Sequence, residues 1–133
     1  MHEAVANGTL WVALHTPPKS SAEMPALPVG YALLRFIDGF ALLAQMDVLP
    51  EHGQKGLGTG LIGHITDYLR ARNVNALYLT TFTHVPWNAP FYEKCGFAVL
   101  YRKEQPSFIK NILEEEKQYG LSHRIAMRLT LVQ

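Results

Sequence analysis

Apolar and polar positions along the 133-residue chain follow two periods, the twofold period of strands and the 3.6-residue period of helices. Short apolar runs with β-branched and aromatic residues predict strands at 9–15, 29–37, 40–49, 76–82, 97–102 and 124–131. Helical spacing predicts helices over 59–72 and 107–119, and a short helix that begins at Asn88. The predicted order is β-β-β-α-β-α-β-α-β, an α/β fold class.

Local signals fix how the middle elements connect. Asp38-Gly39 accepts the positive φ angles of a tight turn, so the strands on either side should form an antiparallel hairpin. The second hairpin strand, helix 59–72 and strand 76–82 make a βαβ unit, whose two strands should be parallel. The Pro- and Ser-rich segment 16–28 is predicted to be a loop. We expect a single domain over residues 1–133.

Composition narrows the functional classes. Lys and Arg number 12 against 11 Asp and Glu, so a net charge of +1 offers no general attraction for nucleic acid or membrane. The sequence has no apolar run of membrane-spanning length and no signal-peptide pattern, which predicts a soluble cytoplasmic protein. The six histidines and the single Cys95 lack metal-ligand spacing, so we expect no metal, and Cys95 should be a buried small residue.

The segment "HGQKGLGTGLIGH", residues 52–64, places five glycines where the predicted helix begins. A helix N-terminus leaves backbone N–H groups unpaired at the positive end of the helix dipole, and glycines let an anion approach closely. This pattern favours a phosphate cradle, although the same glycines could simply fit a tight turn. The dinucleotide-binding fingerprint requires an acidic residue about 20 positions later, and this sequence has none there. The nucleotide-triphosphate loop requires Gly-Lys followed by Ser or Thr, which is also absent from this segment.

Two motifs in order, "GQKGLG" at 53–58 and "NAPFYEKCGF" at 88–97, resemble those of the GNAT superfamily of N-acetyltransferases. The likeness extends over roughly residues 9–131. It implies a mixed, mostly antiparallel sheet with a central splayed pair of parallel strands, and acetyl-coenzyme A as co-substrate without a metal. The family's N-terminal strand and helices are expected to be missing or shortened; a late start, a shortened fold or a covering second subunit, as in a homodimer, are the alternatives.

The resemblance also implies a set of site residues. The coenzyme-binding residues would be Met46, Asp47, Val48, Gln54, Lys55, Gly56, Leu57, Gly58, Thr59, Gly60, Asn88 and Tyr92. The N–H of Met46 would stabilise the oxyanion, and Tyr92 would protonate the departing thiolate. Asn88 has an alternative role as a helix cap. One departure is Gly53, which stands where the family has Gln or Arg.

The general base is less well defined, because Gln45 falls where many family members have Glu. Asp47 and His84 are the remaining candidates, and the ordinary pKa of histidine suits a base. The sequence therefore supports two functions. One is an N-acetyltransferase acting on the amine of a small molecule or peptide by direct attack in a ternary complex, and the other is a non-catalytic acetyl-coenzyme A-binding or sensing module. Dispersed basic residues disfavour a nucleic-acid partner.

Overall fold

The computed structural model describes residues 2–7, 9–15, 27–49, 56–83 and 88–131. The elements in these ranges are β1 (His2–Asn7), β2 (Leu10–His15), β3 (Leu27–Ile37), β4 (Phe40–Val48), α1 (Leu57–Ala71), β5 (Ala76–Phe82), α2 (Asn88–Lys94), β6 (Ala98–Leu100), a 3-10 helix (Arg102–Glu104), α3 (Ser107–Gln118) and β7 (Arg124–Thr130). Their contacts define two compact units. The first unit comprises Met1–Arg35 and Leu43–Arg72, and the second comprises Phe36–Leu42 and Asn73–Gln133.

The first unit contains an antiparallel sheet in which β2 lies between β1 and β3. The sequence analysis assigned no strand to β1, and its presence corrects the expectation of a missing N-terminal strand. Its sequence, "HEAVAN", carries a single β-branched residue, so its propensity for strand is low and pairing with β2 decides its conformation. Because β1 ends at Asn7 and β2 begins at Leu10, no helix lies between these two strands.

Helix α1 packs against this sheet with the apolar face that its sequence predicts. Leu61, Ile62, Ile65 and Leu69 are buried together with Thr66, whereas His64 and Asp67 are exposed. The ring of Trp11 on β2 meets that of Tyr68 edge to face, with centroids 5.0 Å apart. The helix begins two residues earlier than predicted, because Gly56 provides its N-cap.

The β3–β4 hairpin turns at Asp38 and Gly39, whose φ angles of 53° and 83° confirm the predicted tight turn. Strand β3 begins at Leu27, so the last two residues of the predicted loop are strand; residues 16–26 lie outside the described ranges. The tip of the hairpin belongs to the second unit and the rest of both strands to the first.

The hairpin ladder contains an irregularity. A two-residue turn pairs Ile37 with Phe40, and an uninterrupted ladder from there would place Val29 opposite Val48. Instead, the N–H of Leu49 donates to the carbonyl oxygen of Val29 at 2.8 Å. The second strand therefore accommodates one extra residue, as in a β-bulge, and the bulge changes which β4 side chains share a face with those of β3.

The second unit contains a mixed sheet. Strand β7 pairs antiparallel with both β5 and β6. The hairpin tip adds a parallel ladder to β5, at Ala41↔Leu77 and Leu42↔Tyr78, which confirms the predicted parallel pair. The splaying of this pair beyond the ladder stays a prediction.

Two details of the second unit differ from the sequence analysis. The predicted strand 97–102 is shorter, because β6 ends at Leu100 and a 3-10 helix follows. The alternation of apolar and other residues in "RIAMRLTL", 124–131, predicts a half-buried strand, yet the neighbouring residues Ala126 and Met127 are both fully buried. Successive residues of a strand point to opposite faces, so β7 is covered on both sides at its centre.

Helices α2 and α3 lie on opposite faces of β5. The hydroxyl of Thr80 donates to Glu116 of α3 at 3.2 Å, whereas the hydroxyl of Thr81 accepts from Asn88 of α2 at 3.1 Å. Because adjacent strand residues face opposite ways, each helix covers one side. On the α3 side, Phe108 stacks on the ring of Phe40 with centroids 4.8 Å apart.

Two glycines of the α1 region provide a test of this backbone. An added Cβ would meet no atom within 4 Å at Gly56 or Gly63, but Gly56 has a φ of +76° and Gly63 is helical. We expect Gly63→Ala to raise the free energy of unfolding by about 0.5–1 kcal/mol. Gly56→Ala should lower it by about 1–2 kcal/mol, because a side chain is strained in the left-handed region. Urea denaturation would measure both, and equal effects would contradict the assigned conformation of residue 56.

Candidate functional site

The N-terminus of α1 is positively polarised by the helix dipole. Gly56 adopts the left-handed conformation, no side chain of the described residues caps the helix, and its first turn contains no acidic residue. The first helical hydrogen bond runs from the N–H of Gly60 to the carbonyl of Gly56 at 2.9 Å. The three preceding N–H groups, of Leu57, Gly58 and Thr59, are therefore the ones that a helix leaves for an external acceptor. This arrangement suits an anion such as a phosphate.

The predicted phosphate cradle is partly described. Gly56 to Gly60 form the N-cap and first turn of α1, where Leu57 and Gly58 are buried and Thr59 and Gly60 are exposed. An added Cβ on Gly56 or Gly60 would meet no atom of the described residues within 4 Å. Gln54, Lys55 and one of the two candidate bases, His84, lie outside the described residues.

The end of β4 carries the other predicted coenzyme residues. Met46 and Val48 are half-buried, whereas Gln45 and Asp47 are exposed, as expected from the twofold period of a strand. Main-chain groups of this segment could pair with an extended ligand as with another strand. The oxyanion role of the Met46 N–H stays a prediction.

A polar cluster on the β3–β4 hairpin was not predicted. The hydroxyl of Tyr31 donates to Oδ2 of Asp47 at 3.1 Å and lies 3.5 Å from Oε1 of Gln45. The hydrogen bond to Asp47 raises the pKa of Tyr31, and desolvation and the negative charge of the same carboxylate act in the same direction. The phenol therefore remains protonated, and a donor, at neutral pH.

The sequence analysis named Asp47 as a candidate and Gln45 as a departure from the family, but it did not single out Tyr31. The available signal was the hairpin turn, since its position sets which residues of β3 and β4 lie opposite each other. A regular register would have put Tyr31 across from Met46, on the face away from Asp47. The bulge brings the phenol and the carboxylate to the same face, and it could not be deduced from the turn alone.

A cavity of about 480 Å³ adjoins this cluster within the first unit. Tyr31 and Asp47 line it together with apolar side chains, those of Val12, Val29, Val48 and Leu49. Asp47 is the only charged residue among the described lining residues. The cavity thus combines one negative charge with a mainly apolar wall.

In the second unit, Tyr92 occupies the middle of α2 and is half-buried. Its ring meets those of Phe91 and Phe97 edge to face, with centroid distances of 5.2 and 5.6 Å. Its carbonyl accepts the N–H of Phe97 at 3.0 Å, which closes the end of the helix. These contacts restrict the orientation of the phenol. Cys95 is half-buried rather than buried as predicted.

Asn88 is the first residue of α2, and its amide nitrogen donates to the hydroxyl of Thr81 on β5. This bond anchors the start of α2 to the sheet, a structural role that the sequence analysis did not consider. Coenzyme contact and helix capping both stay predictions for Asn88.

The described residues contain no group of three or more His, Cys, Asp or Glu side chains placed to hold a metal ion. Within the same ranges, no helix has both the length and the apolar character needed to cross a bilayer.

Comparisons with known proteins agree with this geometry. The sequence model described as the acetyltransferase (GNAT) family matches residues 4–97. This match includes the end of β4, the start of α1 and the whole of α2.

Solved structures share the fold at low sequence identity. N-acetylglutamate synthase from Neisseria gonorrhoeae, complexed with coenzyme A and N-acetyl-glutamate, superposes with a TM-score of 0.71 and 16% identity over 94% of this chain and 26% of that one. The ribosomal-protein-S18-alanine N-acetyltransferase from Escherichia coli superposes with a TM-score of 0.64 and 20% identity, over 96% of this chain and 73% of that one. PaiA N-acetyltransferase from Thermoplasma acidophilum, in complex with coenzyme A, superposes with a TM-score of 0.63 and 17% identity, over 91% of this chain and 59% of that one. The chain thus spans about a quarter of the length of the gonococcal synthase.

The polar cluster makes a prediction about titration. Asp47→Asn should lower the pKa of Tyr31 towards the ordinary value of about 10, because it removes the acceptor charge. The phenol can be followed by NMR of protein labelled at tyrosine Cζ, with Tyr31→Phe to assign the signal. In the wild type, the stability due to this raised pKa is present below pH about 10 and is lost as the pH rises through the folded-state pKa. Asp67→Asn, which removes an exposed carboxylate on α1, is the control. An unchanged pKa of Tyr31 in Asp47→Asn would contradict the hydrogen bond assigned between Tyr31 and Asp47.

Proposed function

The chain belongs to the GNAT family of acetyltransferases, and on that premise we propose that it is an N-acetyltransferase that uses acetyl-coenzyme A. The acceptor would be the amine of a small molecule or peptide, attacked directly in a ternary complex. The observation that carries the proposal is the N-terminus of α1, which follows β4 and begins at a left-handed glycine. Its first turn contains no acidic residue, and no side chain in the described part of the chain caps it.

The diphosphate of the coenzyme would bind at this helix terminus. Phosphate oxygens accept hydrogen bonds from the N–H groups of Leu57, Gly58 and Thr59, and the helix dipole favours their negative charge. The pantetheine arm would pair with the main chain of β4 at Met46 to Val48, as an added strand does. Coenzyme A bound in the structures from N. gonorrhoeae and T. acidophilum supports this ligand.

The chemical step requires a neutral amine. Its nitrogen attacks the thioester carbonyl, forming a C–N bond and an oxyanion that the N–H of Met46 would stabilise. The C–S bond then breaks, the nitrogen loses its extra proton to solvent or a nearby carboxylate, and the thiolate takes a proton from the phenol of Tyr92, which is restored from solvent. Free coenzyme A and the amide leave. The protein contributes orientation and charge stabilisation.

A non-catalytic acetyl-coenzyme A-binding module is the second candidate. The observation that favours it is Gln45, an exposed amide at the position where a base would be expected, because an amide accepts no proton at neutral pH. Both candidates require the same coenzyme site, so they differ only in turnover.

Coenzyme binding can be tested by thermal unfolding and isothermal calorimetry with acetyl-coenzyme A. We expect a rise in Tm at saturating coenzyme, since a ligand that binds only the folded state stabilises it. Acetyl-pantetheine, which lacks the diphosphate, should give a smaller rise.

Thr59→Glu should slightly stabilise the free protein, by about 0.3–1 kcal/mol through the helix dipole. The same change should weaken coenzyme binding tenfold or more, because it places a negative charge at the phosphate site.

Thr59→Gln is the matched control, with the same length and no charge, and it should bind coenzyme almost as the wild type does. Absence of any thermal shift with acetyl-coenzyme A would overturn both candidate functions. Equal affinity in Thr59→Glu and Thr59→Gln would instead place the diphosphate elsewhere.

Turnover can be tested by measuring free thiol released from acetyl-coenzyme A with a panel of amines. Tyr92→Phe should lower kcat about 10²-fold with little change in the KM for coenzyme, because only the proton donor is lost. Tyr119→Phe, which alters a tyrosine that is 82% exposed at the end of α3, is the control and should not change kcat. A wild-type protein that binds the coenzyme but acetylates no amine would favour the binding module, and an unchanged kcat in Tyr92→Phe would exclude the acid role.

A further inference from the structure

We infer that the cavity of the first unit is the acceptor site, and that the acceptor is a primary amine carrying an apolar substituent. This inference rests on the proposed acetyltransferase function and names its substrate class. It is carried by one juxtaposition, a carboxylate held by a phenol at the edge of an apolar cavity of about 480 Å³. Cavities of about 300–1,000 Å³ are the usual size for small-molecule sites.

The charge of the cavity selects the reacting group. Asp47 is the only charged side chain among its described lining residues, and it is exposed enough to meet a ligand. An alkylammonium ion is attracted to this carboxylate, whereas an anionic ligand is repelled by it. Asp47 directly follows Met46, the residue whose N–H we assign to the oxyanion, so an amine held there lies beside the proposed coenzyme edge of β4.

Tyr31 acts as a positioning residue for that carboxylate. Its hydroxyl donates to Oδ2 of Asp47 at 3.1 Å, which occupies one oxygen and leaves Oδ1 for the ammonium group. The close approach of the two strands keeps this geometry: an added Cβ on Gly30 would lie 3.0 Å from the main-chain oxygen of Asp47. The carboxylate thus lies where the two strands of the hairpin approach each other closely.

The remaining wall selects the substituent. Val12, Val29, Val48 and Leu49 line the cavity, and Leu49 is 45% exposed although it is a large apolar residue. An apolar group bound against these side chains would bury surface on both partners, which is favourable in proportion to the area removed from water. A hydroxyl or carboxylate in the same place would lose its hydration without gaining a partner from the valine and leucine side chains.

Five-carbon amines that differ only at the far end provide the test. With saturating acetyl-coenzyme A, kcat/KM should be highest for pentylamine, lower for 5-aminopentan-1-ol and at least tenfold lower for 5-aminopentanoate. From propylamine to pentylamine, kcat/KM should rise about fourfold for each methylene buried. Equal kcat/KM values across the panel would overturn the inference while leaving the acetyltransferase function intact.

Variants assign the effect to named residues. Asp47→Asn should raise the KM for pentylamine about tenfold, the effect of losing a charge-assisted hydrogen bond. Tyr31→Phe should raise the same KM less, with kcat changed less than KM, since it only releases the carboxylate. Asp67→Asn removes a carboxylate of the same charge from the exposed face of α1 and should leave the KM for pentylamine unchanged.

Binding can also be followed without turnover. In the presence of coenzyme A, pentylamine should cause saturable shifts in the methyl NMR signals of Val12, Val48 and Leu49, and these shifts should weaken in Asp47→Asn. Shifts confined to other residues, or equal KM values in Asp47→Asn and Asp67→Asn, would refute the acceptor site. Failure of every amine to be acetylated would refute the proposed function instead, so the two failures are distinguishable.

Discussion

The two-residue turn at Asp38 and Gly39 constrains much of the described structure. Both residues have positive φ, a conformation that matches the twist of the hairpin strands and sets their register. Strand β4 follows this turn. Its first residues form the parallel ladder to β5 in the second unit, and its last residues, Gln45 to Val48, belong to the first unit. A slip of one residue would turn each β4 side chain to the other face, so the proposed coenzyme edge and the proposed acceptor cavity both depend on this register.

Electrostatics in this protein are local. The chain carries a net charge of only +1, yet the end of β4 presents an exposed carboxylate, Asp47, and the first turn of α1 contains no acidic residue. Asp47 would attract an ammonium and the helix N–H groups, which begin at Leu57 ten residues later, would attract a diphosphate. Such short-range interactions are felt within about 8–10 Å at physiological salt, so neither requires a charged surface.

Local sequence patterns predicted the helices and the tight turn well, because periodicity and turn chemistry act over a few residues. They missed β1 and the burial of both faces at the centre of β7, since both depend on which strands become neighbours. At the site, the glycine pattern located the start of α1 to within two residues. It could not reveal the Tyr31–Asp47 pair, which exists because one extra residue in the hairpin reverses the facing of the strands.

The same pair bears on whether Gln45 argues against catalysis. The Tyr31 hydroxyl lies within 3.5 Å of both Oε1 of Gln45 and Oδ2 of Asp47, so these two side chains share one face of β4. Two positions along a strand correspond to a displacement of about 6.5–7 Å. Relative to family members with Glu at the position of Gln45, the carboxylate of this chain is therefore displaced along the strand, but it stays on the same face. For an amine bound in the proposed acceptor cavity, Asp47 would be the proton acceptor.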